Sequence, residues 1–168
     1  MLLDFKVFAT RNQGEEYDIT HHKGKFYIVT NADALNFKVM VTDVVTTSRD
    51  SWTAYIPHDD NVLISGVEAF EKHLVIYHRK NGLKQIKVVN LAINKSHDVK
   101  FPEPVYTYSG SNNPDFQSGS IRMTYSSMIT PRTVYDYNLD TGEFTEKKVY
   151  EVKGGYNKED YATERVFA

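Results

Sequence analysis

The chain has no cysteine, which excludes disulfides, thiolate metal sites and cysteine nucleophiles together. No uncharged apolar run approaches the ~18 residues that a membrane-spanning helix needs. The opening residues, Met1-Leu2-Leu3-Asp4-Phe5-Lys6, lack the basic segment and apolar core of a signal peptide. Charge of one sign is also lacking. With 20 Lys+Arg against 22 Asp+Glu and a pI near 6.3, no overall field recommends a nucleic acid or an anionic membrane as partner. The expected compartment is the cytoplasm, with the periplasm left open. No serine occupies a Gly-x-Ser-x-Gly elbow, and the nearest approach, Gly119-Ser120, runs on into Ile121-Arg122 as a loop feeding a strand. No cofactor motif is visible, so no cofactor is expected.

Aromatic residues are plentiful, with 12 Tyr and 9 Phe. They sit with β-branched residues in short apolar runs, the pattern of many brief strands rather than amphipathic helices. The expected strands lie at 5–10, 17–20, 25–30, 37–44, 52–57, 61–66, 73–79, 85–91, 97–101, 105–108, 120–126, 133–139, 143–151 and 164–167. Turn chemistry separates them: Asn81-Gly82 and Asp140-Thr141-Gly142 are hairpin signals, and His22-Lys23-Gly24 and Asn31-Ala32-Asp33 are polar breaks.

One unit then recurs three times, an apolar strand followed by a second strand that ends in a small polar and an aliphatic residue. Phe26, Leu74 and Ile121 mark its start and Asp43, Asn90 and Asn138 its end, each series stepping by roughly 47–48 residues, the repeat expected of four-stranded propeller blades. This predicts an all-β chain, a partial β-propeller of about three and a half four-stranded blades. The expected blades are 24–71, 72–119 and 120–163, with residues 1–23 supplying the end of a preceding blade. Such an arc leaves a blade face and a strand edge uncovered at each end, which predicts self-association unless the missing blades are supplied. A start directly in strand-like sequence is likewise expected of a piece of a longer protein.

Candidate chemistry is sparse. His21 and His22 are adjacent and project to opposite faces of a strand, while His58, His73, His78 and His97 have no metal-ligand spacing, so no metal site is expected. Asp59-Asp60 and Glu159-Asp160 diverge as neighbours and read as solvated turn acids rather than a glycosidase pair. Arg79, Lys80, Lys84 and Lys87 bracket the Asn81-Gly82 turn; a phosphate patch would use such charges, but soluble, pairing-resistant hairpin edges need them too. Arg122 stands in an otherwise apolar strand, so it must meet a carboxylate or face a central channel. Tyr125, Ser126 and Ser127 are candidates for channel contacts or for hydrogen bonds between blades.

The run Phe26-Tyr27-Ile28-Val29-Thr30-Asn31-Ala32-Asp33-Ala34-Leu35-Asn36-Phe37 resembles the propeller motif of the oligopeptidase B branch of the prolyl oligopeptidase family. So does the stretch from Ile121-Arg122 through Tyr125-Ser126-Ser127 and Thr130-Pro131 to Val134-Tyr135-Asp136, then Asp140-Thr141-Gly142-Glu143. The resemblance covers nearly the whole chain. It implies a seven-bladed propeller, of which residues 1–163 are the C-terminal half, and reads 164–168 as the start of a link to an α/β-hydrolase domain. The catalytic Ser, Asp and His would lie in that domain, leaving no catalytic residue in this chain. The implied activity of the parent is hydrolysis of short peptides, after Lys or Arg, by a nucleophilic serine. The implied partners are the hydrolase domain, the remaining blades and peptide substrates. Arg122, Tyr125, Ser126 and Arg165 are the expected channel or interdomain residues.

Overall fold

A computed structural model describes residues 6–166. Its strands are β1 (Tyr17–His22), β2 (Lys25–Thr30), β3 (Lys38–Asp43), β4 (Thr53–Ile56), β5 (Val62–Ala69), β6 (His73–Lys80), β7 (Leu83–Asn90), β8 (Lys95–Asp98), β9 (Tyr106–Gly110), β10 (Ser120–Ser127), β11 (Thr133–Asn138) and β12 (Phe144–Val149). They form three antiparallel four-stranded sheets in simple order, β1-β2-β3-β4, β5-β6-β7-β8 and β9-β10-β11-β12. The chain is therefore all-β, a partial β-propeller of three whole blades among the described residues.

The middle blade explains why its strands read as continuous apolar runs. In β6, Leu74 and Ile76 pack with Tyr27, Val29 and Val39 of the first blade, whereas Val75 packs with Ile121, Met123 and Tyr137 of the third. Both faces are covered, so alternation disappears. In β10 it returns: Ile121, Met123 and Tyr125 are buried and Arg122 is exposed, because only one face of the last blade meets another blade. The β6–β7 hairpin closes through Asn81 (φ 51°) and Gly82 (φ 76°), the left-handed pair a two-residue turn of matching twist requires.

Polar bonds stitch the seams. Thr20 Oγ1 donates to the Val67 carbonyl at 2.8 Å and His22 Nε2 lies 3.1 Å from the Glu71 carbonyl, joining blades one and two. Blades two and three are joined by the Tyr108 hydroxyl, which donates to the Gln85 carbonyl at 3.1 Å, by His97 Nε2 against the Tyr137 hydroxyl at 2.8 Å, and by His73 Nε2 against Asp140 Oδ1 at 3.0 Å.

The sheets correct the phase of the expected blades. Ranges 24–71, 72–119 and 120–163 each begin one strand late: Tyr17–His22, Val62–Ala69 and Tyr106–Gly110 open the three sheets instead of closing preceding ones. A repeat fixes its period but not its origin, and loop length misleads here. The crossing between the first two blades, residues 57–61, is shorter than the 44–52 loop inside the first. Residues 6–16 hold no strand and do not begin a half blade. They lie over the side of the first blade that faces away from the second, where Phe8 meets the Phe26 ring edge-on at 5.1 Å and Ala9 is buried. Arg49 fastens this cover, pairing with Glu15 at 2.6 Å and donating to the Thr10 carbonyl at 2.9 Å. The face expected to be bare at this end is thus partly covered, with Ile19 and His21 on it still exposed. The expected strand at 164–167 is absent from 164–166, and residues 1–5 and 167–168 lie outside the described part.

Candidate functional site

Strand β10 places the expected residues on two different surfaces. Arg122 and Ser126 point to the open face of the third blade, and Tyr125 points the other way, stacking on Phe101 and Tyr106, which pack against the core shared with the second. Arg122 meets its carboxylate: Nε and Nη2 donate to Asp136 Oδ1 and Oδ2 at 2.7 and 2.9 Å, the two-pronged geometry of a strong guanidinium–carboxylate pair. Cross-strand register sets this up, since Arg122 lies opposite Asp136 in the β10–β11 pair. Lys147 Nζ approaches the same carboxylate at 3.5 Å. The Arg122 hydrogen bond holds the Asp136 carboxyl below its ordinary range, against the opposing effect of burial. Beside the pair, a pocket of about 170 Å³ is lined by Asn113, Ser118 and Ser120. Ser126 is half-buried on this face, paired in register with Thr107.

Tyr125 is fully buried, at 0% exposure. Its ring stacks on Phe101 at 5.6 Å, and its hydroxyl donates to Glu103 Oε2. Burial chiefly, and Glu103 next, push the phenol well above its ordinary range, so it remains a donor at any physiological pH. Glu103 is a carboxylate only 6% exposed that collects two further donors, Thr130 Oγ1 at 2.6 Å and Lys158 Nζ at 2.5 Å. Burial pushes this carboxyl up, but Lys158, Thr130 and Tyr125 together outweigh it and hold Glu103 below the usual carboxylate range. Tyr125 is thus a structural tie rather than part of an open surface.

Arg165 lies elsewhere, its Nη2 donating to the Asn81 carbonyl at the β6–β7 turn. The four expected residues therefore do not form one constellation. Sequence reasoning missed Glu103, Lys158 and the seam histidines His73 and His97. The one local signal for Glu103 is its place in Pro102-Glu103-Pro104, an acid on backbone that the following proline biases to extended conformations. A cleft of about 520 Å³ opens between the first strands of blades two and three, lined by Ser65, Glu68, Tyr77, Arg79, Tyr108 and Ser109. Among the described residues, no three His, Asp or Glu side chains gather to hold a metal.

Residues 4–150 match the family model of the prolyl oligopeptidase N-terminal β-propeller domain. The chain belongs to the prolyl oligopeptidase family. Within the family it is 38% identical to dipeptidyl aminopeptidase BI of Pseudoxanthomonas mexicana over 98% of its own length and 22% of that protein. It is 28% identical to protease 2 of Moraxella lacunata over 99% of its length and 24% of that protein. Among solved structures, oligopeptidase B of Trypanosoma brucei, in a closed form with covalently bound antipain, superimposes with a TM-score of 0.80 at 31% identity, over 90% of this chain and 22% of that one. Oligopeptidase B of Leishmania major gives 0.80 at 28% identity, over 94% and 23%. This propeller segment thus spans less than a quarter of the peptidases it matches.

Proposed function

We propose that this chain is part of the substrate-gating propeller of a serine oligopeptidase, inactive alone, whose parent hydrolyses short peptides in the cytoplasm. The observation that carries the reading is the combination of three blades in an unclosed arc with a propeller-family match over residues 4–150. Closed propellers take at least about four blades, so the rest of the ring must come from outside these three. The chemistry would then belong to an α/β-hydrolase domain of the parent, with serine as nucleophile and histidine as its base. A ring over that domain admits extended peptides and turns folded proteins away by size. The blade surfaces support this role: the third blade's open face carries Arg122, Asp136 and Lys147 rather than an apolar seam. That face suits a polar contact with the remaining blades.

Two specificities are open to the parent. The resemblance to oligopeptidase B implies cleavage after Lys or Arg, and similarity to a relative named dipeptidyl aminopeptidase BI favours release of dipeptides. The test is hydrolysis by the full-length product of the same gene beside the 168-residue chain, using an N-blocked dibasic fluorogenic peptide and an unblocked dipeptide amide. Cleavage of either by the full-length protein alone supports the proposal, and the preferred substrate selects the specificity. Cleavage of neither favours the alternative, a binding or scaffold propeller without chemistry.

A further inference from the structure

The segment after β12 holds no strand, and its residues from 150 to 162 are all exposed, yet it follows a definite path. It leaves the outer strand of the third blade, where the Tyr150 N–H donates to the Arg132 carbonyl at 2.9 Å. The Tyr156 hydroxyl next donates to the Ile129 carbonyl in the β10–β11 loop. Lys158, opening a short 3-10 turn (Lys158–Asp160), reaches Glu103 in the β8–β9 loop. Arg165 finally contacts the β6–β7 turn of the second blade. All these loops lie at one end of the blades, so the segment crosses that end from the third blade to the second.

Most of these tethers are bonds to loop carbonyls, which water replaces readily. Glu103 is different. It is buried, and Tyr125 and Thr130 already order both of its oxygens. It therefore presents a fixed negative charge to Lys158, whose side chain is 48% exposed. A preset carboxylate in a low-dielectric pocket captures a mobile ammonium at far smaller ordering cost than two free surface side chains do.

We propose that Glu103 and Lys158 form a latch that fixes the path by which the chain leaves the third blade, and so sets the orientation of the domain that follows. Tyr125 and Thr130 are its positioning residues. The inference rests on the reading that a hydrolase domain follows.

The test uses the full-length parent and does not depend on activity. Lys158→Met removes the ammonium but leaves Glu103 with Tyr125 and Thr130, so the blade keeps its fold. Amide hydrogen exchange of Asp160 and Tyr161, whose N–H groups are bonded in the 3-10 turn that Lys158 opens, should accelerate by about tenfold or more, the scale of losing a bond to a charged group, while β10 exchange stays unchanged. Small-angle scattering should show a broader spread of interdomain distances, and Lys158→Arg should restore both readouts. Unchanged exchange in Lys158→Met overturns the latch. Accelerated exchange with an unchanged scattering curve overturns its role in setting the domain. A parent with no second domain would reveal itself in the wild-type scattering curve before any variant is made, so failure of the hydrolase reading stays separate from failure of the latch.

Discussion

Tyr125 is the sharpest test of how the third blade is held together. Replacing it by phenylalanine keeps the ring that stacks on Phe101 and removes only the hydroxyl that donates to Glu103. Glu103 keeps Thr130 and Lys158, so it is weakened rather than orphaned. Hydrogen bonds to charged groups contribute about 1.5–3 kcal/mol, and the burial of both partners places this one within that range. In a chain of this size each kcal/mol moves the melting temperature by roughly 2–4 °C, so Tyr125→Phe should melt about 3–12 °C lower. Urea unfolding followed by far-UV circular dichroism should give the same loss as a lower midpoint with unchanged slope. Ser126→Ala, one residue along on the open face, should stay within about 0.5 kcal/mol of the wild type. A Tyr125→Phe variant as stable as the Ser126→Ala variant would refute the tie and return Tyr125 to the candidate channel residues.

Other outcomes follow from the same geometry. Glu103 and Asp136 have carboxyls held below their ordinary values, so they contribute stability that is complete above pH 4.5 and is lost as pH falls through their folded values. Urea midpoints measured from pH 7 to pH 3 should fall at the acid end, less steeply in Glu103→Gln, which starts from lower stability. Ile121→Ala opens a cavity in the seam between the second and third blades and should cost about 2–5 kcal/mol in the same urea assay. Gly142→Ala should be destabilising by about 1–2 kcal/mol, since its φ is 75° and a Cβ there would lie 3.3 Å from the Tyr137 hydroxyl. Gly24→Ala, with open space around it, is the control.

The period of the fold was legible because equivalent strands carry equivalent apolar runs: Phe26, Leu74 and Ile121 all fall in the second strand of their sheets. The origin of the repeat was not legible. Hydrogen bonding between strands such as β4 and β5 depends on where a sheet ends, and the short 57–61 connection resembles a hairpin loop more than a crossing between blades. Arg122 was half legible. Its need for a carboxylate or a water-filled channel followed from an Arg among apolar neighbours, but the choice between them, and Asp136 as the partner, follows only from register across β10 and β11. Glu103 was hidden because its donors come from β10, from the loop after it and from a segment 55 residues later. A loop acid between prolines reads as solvent-exposed until those segments converge. The histidines show the same limit: without metal spacing they read as generic polar residues, whereas His73 and His97 bond across a blade seam.

The most direct measurement is labelling with a fluorophosphonate probe, which reacts with activated serines, applied to the full-length gene product and to the 168-residue chain side by side. The account predicts one labelled serine in the full-length protein, outside residues 1–168, and no label on the chain. A labelled serine within the chain, or none in the full-length protein, would contradict it.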